Sequence, residues 1–164
     1  MENIKVILIS NLDTLYRLLN NHDYESPKFT IYGNKIAVKY SNIGELQIVR
    51  IWKTKLLLNY NCEDFNNNNF IASLDYTINE YNVRINYLNI NENMDSLDVL
   101  RLNKALIYYV KNIAKENNIN KIKTDVHFNL KLYDKYYKDE GFKLTDHRSF
   151  ENPHWIETEY IIDL

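Results

Sequence analysis

The segment Tyr137-Lys138-Asp139-Glu140-Gly141-Phe142 decides how this chain folds. A glycine four residues after a tyrosine is a helix stop, because glycine reaches the left-handed conformation that closes a helical C-terminus at little cost. Upstream, Leu132, Tyr133, Tyr136 and Tyr137 recur three and four residues apart, so Leu130 to Tyr137 is predicted to be helical. Downstream, Phe142 to Phe150 and Trp155 to Ile162 read as two closing strands on either side of Pro153.

Moving back from this segment, Ile122, Thr124, Val126 and Phe128 alternate as a strand. Before it lies a long helix, with Val99, Leu102, Leu106, Tyr109, Val110 and Ile113 as its apolar stripe. Asp95 or Ser96 is placed to cap its start, Lys111 and Lys115 suit its C-terminal dipole, and Asn117-Asn118 ends it. Further upstream, Phe70, Ala72, Leu74, Tyr76 and Ile78 alternate, and Asn79-Glu80-Tyr81 turns the chain into Val83, Ile85 and Tyr87. That alternation then breaks and resumes as Leu88, Ile90. A one-residue phase shift fits a β-bulge, and it equally fits a strand end buried on both faces.

The N-terminal part reads as a strand over Asn3 to Ser10 and a short amphipathic helix carrying Leu12, Leu15, Tyr16, Leu18 and Leu19, with N-cap chemistry at Asn11 and Asp13. Phe29, Ile31, Ile36 and Val38 are predicted to form a hairpin about Tyr32-Gly33-Asn34. Strands follow at Leu46 to Ile51 and Leu56 to Tyr60, then a polar loop at Asn66 to Asn69. Strand, helix, antiparallel strands, long helix, strand, helix and strands make an α+β, mixed αβ domain rather than a doubly wound one. No repeat or internal boundary is visible, and residues 1–164 are expected to form one domain.

Composition bounds the function. A net charge of −2 lacks the basic excess of a nucleic-acid binder, and the lysines between Lys111 and Lys143 alternate with acids as a solvated face does. No run approaches a membrane span and no targeting segment is apparent. The single cysteine, Cys62, excludes an internal disulfide and favours a reducing, cytoplasmic location; beside Glu63 and Asp64 it has no activating neighbour. There is no HExxH, paired cysteine, Walker loop or G-x-S-x-G elbow, and His147, His154 and Asp146 have no metal-ligand spacing, so no metal is expected.

From about Phe70 to Leu164, the element order and the Y-x-x-x-G-F pattern at Tyr137 to Phe142 resemble the GNAT superfamily of N-acetyltransferases. The resemblance implies a central, mostly antiparallel twisted sheet with a splayed parallel strand pair, flanked by helices. It implies acetyl-CoA as co-substrate, its pantetheine arm against the exposed edge at Leu88, Asn89 and Ile90 and its pyrophosphate on the N-terminus of the long helix. The run Lys104-Ala105-Leu106-Ile107 sets the register of the family's phosphate loop: its first position falls on Asp98, and its two glycines fall on Arg101 and Asn103. The glycine-poor loop departs from the family pattern. Asp95 and Asp98 would oppose a diphosphate, and Arg101 and Lys104 would compensate with side-chain contacts.

The resemblance further implies Asn129 as a contact to the CoA arm and Tyr137 as the general acid that protonates the departing thiolate, with Tyr133 and Tyr136 as substitutes on the same helix. A phenol with an ordinary pKa near ~10 suits a thiolate of similar basicity. His127 or Glu92 would take the substrate proton, and a lone histidine at a strand end is also a common structural residue. The expected activity is acyl-CoA-dependent transfer of an acetyl group to a primary amine of a small molecule, an amino sugar or a protein. The part up to Asn69 would supply specificity, and a homodimer is compatible with the chain. Two other readings stand beside it: a GNAT-like fold without acetyl-CoA binding that serves as an interaction module, and a plain αβ binding domain.

Overall fold

A computed structural model describes residues 4–20, 34–55, 69–127, 137–149 and 156–163. The elements run β1 (Lys5–Ile9), α1 (Leu12–Asn20), β2 (Asn34–Ile43), β3 (Leu46–Lys55), β4 (Phe70–Ile78), β5 (Val83–Ile90), α2 (Ser96–Glu116), β6 (Lys121–His127), β7 (Lys143–Ser149) and β8 (Ile156–Asp163). Residues 137–139 add one helical turn between β6 and β7. The strands form one sheet in the order β1-β2-β3-β4-β5-β6-β8-β7, and among the described residues only the β5–β6 pair is parallel. This is the mixed, mostly antiparallel α+β sheet expected of the chain, flanked by helices.

β2 pairs with β1 on one side, Ile36 to Ile9, and with β3 on the other. The hairpin expected about Tyr32-Gly33-Asn34 has its first strand and most of its turn outside the described residues. The turn between β2 and β3 is Gly44-Glu45, a two-residue loop between Ile43 and Leu46. Gly44 takes φ +59° as its first central residue, a position that disfavours any side chain. The expected strand at Leu56 to Tyr60, Cys62 and the polar loop up to residue 68 lie outside the described residues.

Cross-strand register puts Val38, Ile51, Ala72 and Ile90 on one row of a single face and Tyr40, Val49, Leu74 and Leu88 on the next. The helices cover this face. The inner side of α2 buries Val99, Leu102, Leu106 and Val110, and α1 adds Leu15, Leu18 and Leu19. Asn11 starts α1 by accepting the Thr14 amide at 2.8 Å. α2 ends on Asn118, which takes φ +57°: the Ile119 amide reaches the Ala114 carbonyl at 2.8 Å and the Asn118 amide reaches Lys115 at 3.1 Å. That pair of bonds is a Schellman closure with asparagine in the glycine position.

Candidate active site

The phase shift in β5 is a bulge. Asp75 of β4 faces Tyr87, but the next residue, Tyr76, faces Ile85, so Asn86 is one residue too many for the ladder. Its consequence shows in burial. Val83 and Ile85 point inward before it, Leu88 and Ile90 after it, while Arg84, Asn86 and Tyr87 are exposed. Had the ladder continued unbroken, Leu88 and Ile90 would have faced the other way. The Asn86 amide group donates to the Thr77 hydroxyl at 3.3 Å across the hairpin.

The bulge also marks where the parallel pair ends. β5 and β6 are joined through Val83–Ile122, Arg84–Lys123 and Ile85–Thr124 and no further. Each strand continues: β5 stays on β4 as far as Ile90, and β6 stays on β8 as far as His127. Among the described residues, the facing edges at 86–90 and 125–127 therefore carry no ladder to one another. Such edges can hydrogen-bond to an inserted chain of amides.

The apex of this parting holds a pair of hydroxyls. Thr124 is 1% exposed, and its Oγ1 donates to the Tyr137 phenol oxygen at 3.2 Å; Tyr137 is 2% exposed. Thr124 occupies the last rung shared with Ile85. Tyr137 is fixed from its own backbone. Its carbonyl accepts from the Phe142 amide at 3.0 Å, Lys138 accepts from Gly141 at 3.0 Å, and Gly141 takes φ +93°. The Y-x-x-x-G-F spacing is thus a Schellman closure with the phenol at its first member and the Phe142 ring at its last. Lys111 of α2 binds the same turn, donating to the Glu140 carbonyl at 3.1 Å.

At the other end of the β5–α2 connection, the helix start is occupied by acids. Asp95 caps α2 and accepts the Leu97 amide at 2.9 Å, and Asp98 stands in the first turn. The Tyr16 hydroxyl of α1 lies 3.4 Å from an Asp98 carboxylate oxygen. Burial, then the Asp98 charge and this hydrogen bond, push the Tyr16 phenol up to about 12. The loop before the cap folds on Asn91, whose amide group donates to Phe70 and whose side-chain oxygen accepts from Asn93.

The residues singled out from the sequence fall into three places. Leu88, Asn89 and Ile90 lie on the unladdered edge of β5. Arg101, Asn103 and Lys104 are not in a loop: α2 begins at Ser96, so all three sit inside the helix, beyond its first turn. The residues between β5 and α2 are 91–95, so most of the stretch set by the lysine-alanine-leucine register lies within the helix and not ahead of it. Arg101 and Lys104 are exposed, whereas Asn103 is 2% exposed and its Oδ1 has no partner among the described residues.

His127 is the last residue of β6, and Glu92 lies two residues past the end of β5. His127 is three residues past Thr124, roughly 10 Å, and Glu92 is seven past Ile85, roughly 20 Å. Glu92 therefore belongs to the end near the α2 start. Asn129, Tyr133, Tyr136 and His154 lie outside the described residues. Thr124 was missed as a site residue, although a hydroxyl between Ile122 and Val126 on an apolar strand face was its signal. Among the described residues, no group of three His, Cys, Asp or Glu could hold a metal ion, and no helix is long and apolar enough to cross a membrane.

No known family's sequence pattern matches the chain, and no curated protein matches it. Solved structures do. A probable acetyltransferase from Staphylococcus epidermidis is 16% identical and superposes with a TM-score of 0.51, over 99% of both chains. An acetyltransferase of the GNAT family from Desulfovibrio desulfuricans, described as putative, is 10% identical with a TM-score of 0.52, over 73% of this chain and 69% of that one. A Bacillus subtilis acetyltransferase in complex with CoA is 12% identical with a TM-score of 0.50, over 74% and 79%. Identities this low speak for architecture and not for chemistry; with the bulged strand, the parted parallel pair and the tyrosine-to-glycine closure, they show that this chain has the GNAT acetyltransferase fold.

Proposed function

We propose that residues 1–164 are one acyltransferase domain, working in a cytoplasmic setting and moving an acetyl group from acetyl-CoA to a primary amine by direct attack. The observation that carries the reading is the coincidence at one point of the sheet: the parallel ladder stops at the Ile85–Thr124 rung, and the Tyr137 phenol is bonded to that rung. The edge at Leu88, Asn89 and Ile90 would pair with the pantetheine arm. The amine nitrogen bonds to the thioester carbon, the carbon–sulfur bond breaks, and the sulfur takes its proton from Tyr137. His127 or Glu92 would take the ammonium proton, directly or through water. The CoA bound to a neighbour of the same fold supports the choice of donor. The acceptor is a small amine, an amino sugar or a protein amino group.

Titration calorimetry with acetyl-CoA tests this reading, which requires saturable binding. Tyr137→Phe is expected to keep that binding and lose turnover by about a hundredfold or more. Unchanged turnover would move the acid elsewhere.

A second reading has its own observation. Asp95 already fills the α2 start, taking the Leu97 amide, and Asp98 adds a second negative charge where a diphosphate would rest. This favours a GNAT-like interaction module that has given up the donor. Absence of acetyl-CoA binding at millimolar concentration would select it.

A further inference from the structure

We infer that Thr124 is a positioning residue for the acid Tyr137: it fixes which way the phenol donates and steadies the phenolate left after proton transfer. The inference deepens the acyltransferase reading and rests on it for its catalytic part.

The geometry is specific. Thr124 is held from both sides, by Ile85 of β5 and Tyr160 of β8, at the last rung before the strands part. Its neighbour on the same strand face, Ile122, is fully buried and apolar. A hydroxyl placed there without a partner would be strongly unfavourable, so its bond to Tyr137 is needed for the fold. Yet the direction of that bond has a chemical consequence. Thr124 donates and the phenol oxygen accepts at 3.2 Å, so the Tyr137 proton lies off the Thr124 line.

The step balances as follows. The carbon–nitrogen bond forms, the carbon–sulfur bond breaks with its electron pair on sulfur, and the Tyr137 proton moves to that sulfur. The phenolate that remains still accepts the Thr124 hydroxyl, and a hydrogen bond to the charged form favours that form. The phenol is reprotonated by the proton the amine releases. Charged groups around the turn are Lys138, Asp139 and Glu140 on it, Lys111 from α2, and Lys123 beside Thr124 on β6. None changes in a Thr124 variant, so their influence cancels in a comparison.

The test compares Thr124→Val, which keeps the shape and removes the hydroxyl, with Thr124→Ser, which keeps the hydroxyl. Thr124→Val is expected to lose about ten- to a hundredfold in kcat with KM for acetyl-CoA unchanged, and to move the alkaline limb of the kcat profile to higher pH. Thr124→Ser restores both. With an acetyl thioester of an acidic aryl thiol, whose leaving group needs no proton, the Thr124→Val deficit disappears. An equal deficit with both donors, or none with either, overturns the inference while leaving the acyltransferase reading intact. If the wild-type chain neither binds nor turns over acetyl-CoA, that reading fails by itself. The Tyr137 phenol is then titrated by carbon NMR, its resonance assigned with Tyr137→Phe. A higher midpoint in Thr124→Val upholds the hold of Thr124 on the phenol, and an unchanged midpoint removes it.

Discussion

The Phe142 amide donates to the Tyr137 carbonyl at 3.0 Å, and the two rings meet edge to face with centroids 5.2 Å apart. Backbone and side chain of the same two residues close the helical turn together. Gly141 makes this closure accessible: a Cβ there would meet Ile162 Cδ1 at 3.2 Å, in a backbone conformation that side chains disfavour. Gly141→Ala is therefore expected to cost about 1–2 kcal/mol, read as a lower denaturant midpoint at unchanged slope. Turnover should fall with it, because the phenol is carried on the same turn.

The α2 start offers a cleaner separation of stability from charge. Asp95→Asn keeps a capping oxygen for the Leu97 amide and removes one negative charge. Its stability should be unchanged and its affinity for acetyl-CoA should rise about two- to fivefold by calorimetry. Asp95→Ala should also gain affinity but lose about 1 kcal/mol of stability.

Asn103 sits on the inner side of α2 with a buried side-chain oxygen that has no partner among the described residues. Asn103→Leu replaces a desolvated amide by a residue of similar size that belongs on an apolar face. It should raise stability by about 1 kcal/mol in chemical denaturation. Destabilisation of the same size would mean that the amide has a role in the fold.

High pH should weaken the fold through a cluster of tyrosines. Tyr76 and Tyr109 approach oxygen to oxygen at 3.4 Å, and the Tyr40 ring lies 6.0 Å from that of Tyr109. Burial, then the neighbouring Tyr76, pushes Tyr40 up to about 12, and burial first also raises Tyr76 and Tyr109. From the ordinary value of 10 upward, the unfolded chain releases these protons while the folded chain keeps them. The stability they supply is full below pH 10 and declines as pH climbs toward 12. Tyr109→Phe should flatten that decline in a series of thermal midpoints against pH.

The fold was legible where apolar periodicity is strict. The phase break after Tyr87 located the bulge to within a residue or two, because a period of two makes any insertion visible on a half-buried strand. The glycine stop at Gly141 was legible because left-handed backbone narrows the choice of residue. The α2 start was legible too, since Asp95 or Ser96 suits an N-cap and Asp95 is the cap; the run after Lys104 only says that a helix is under way and so sets no register for the residues ahead of it. Thr124 escaped notice because its importance lies in a contact across 13 positions of chain.

The surplus residue Asn86 constrains how this gene can change. A codon lost at Asn86 would leave Leu88 and Ile90 facing inward on an unbroken ladder and remove the bulge at which the parallel pairing stops; a codon gained beyond it would turn both residues outward. Descendants can exchange letters there but not alter their number, so the length of the segment is inherited more strictly than its spelling.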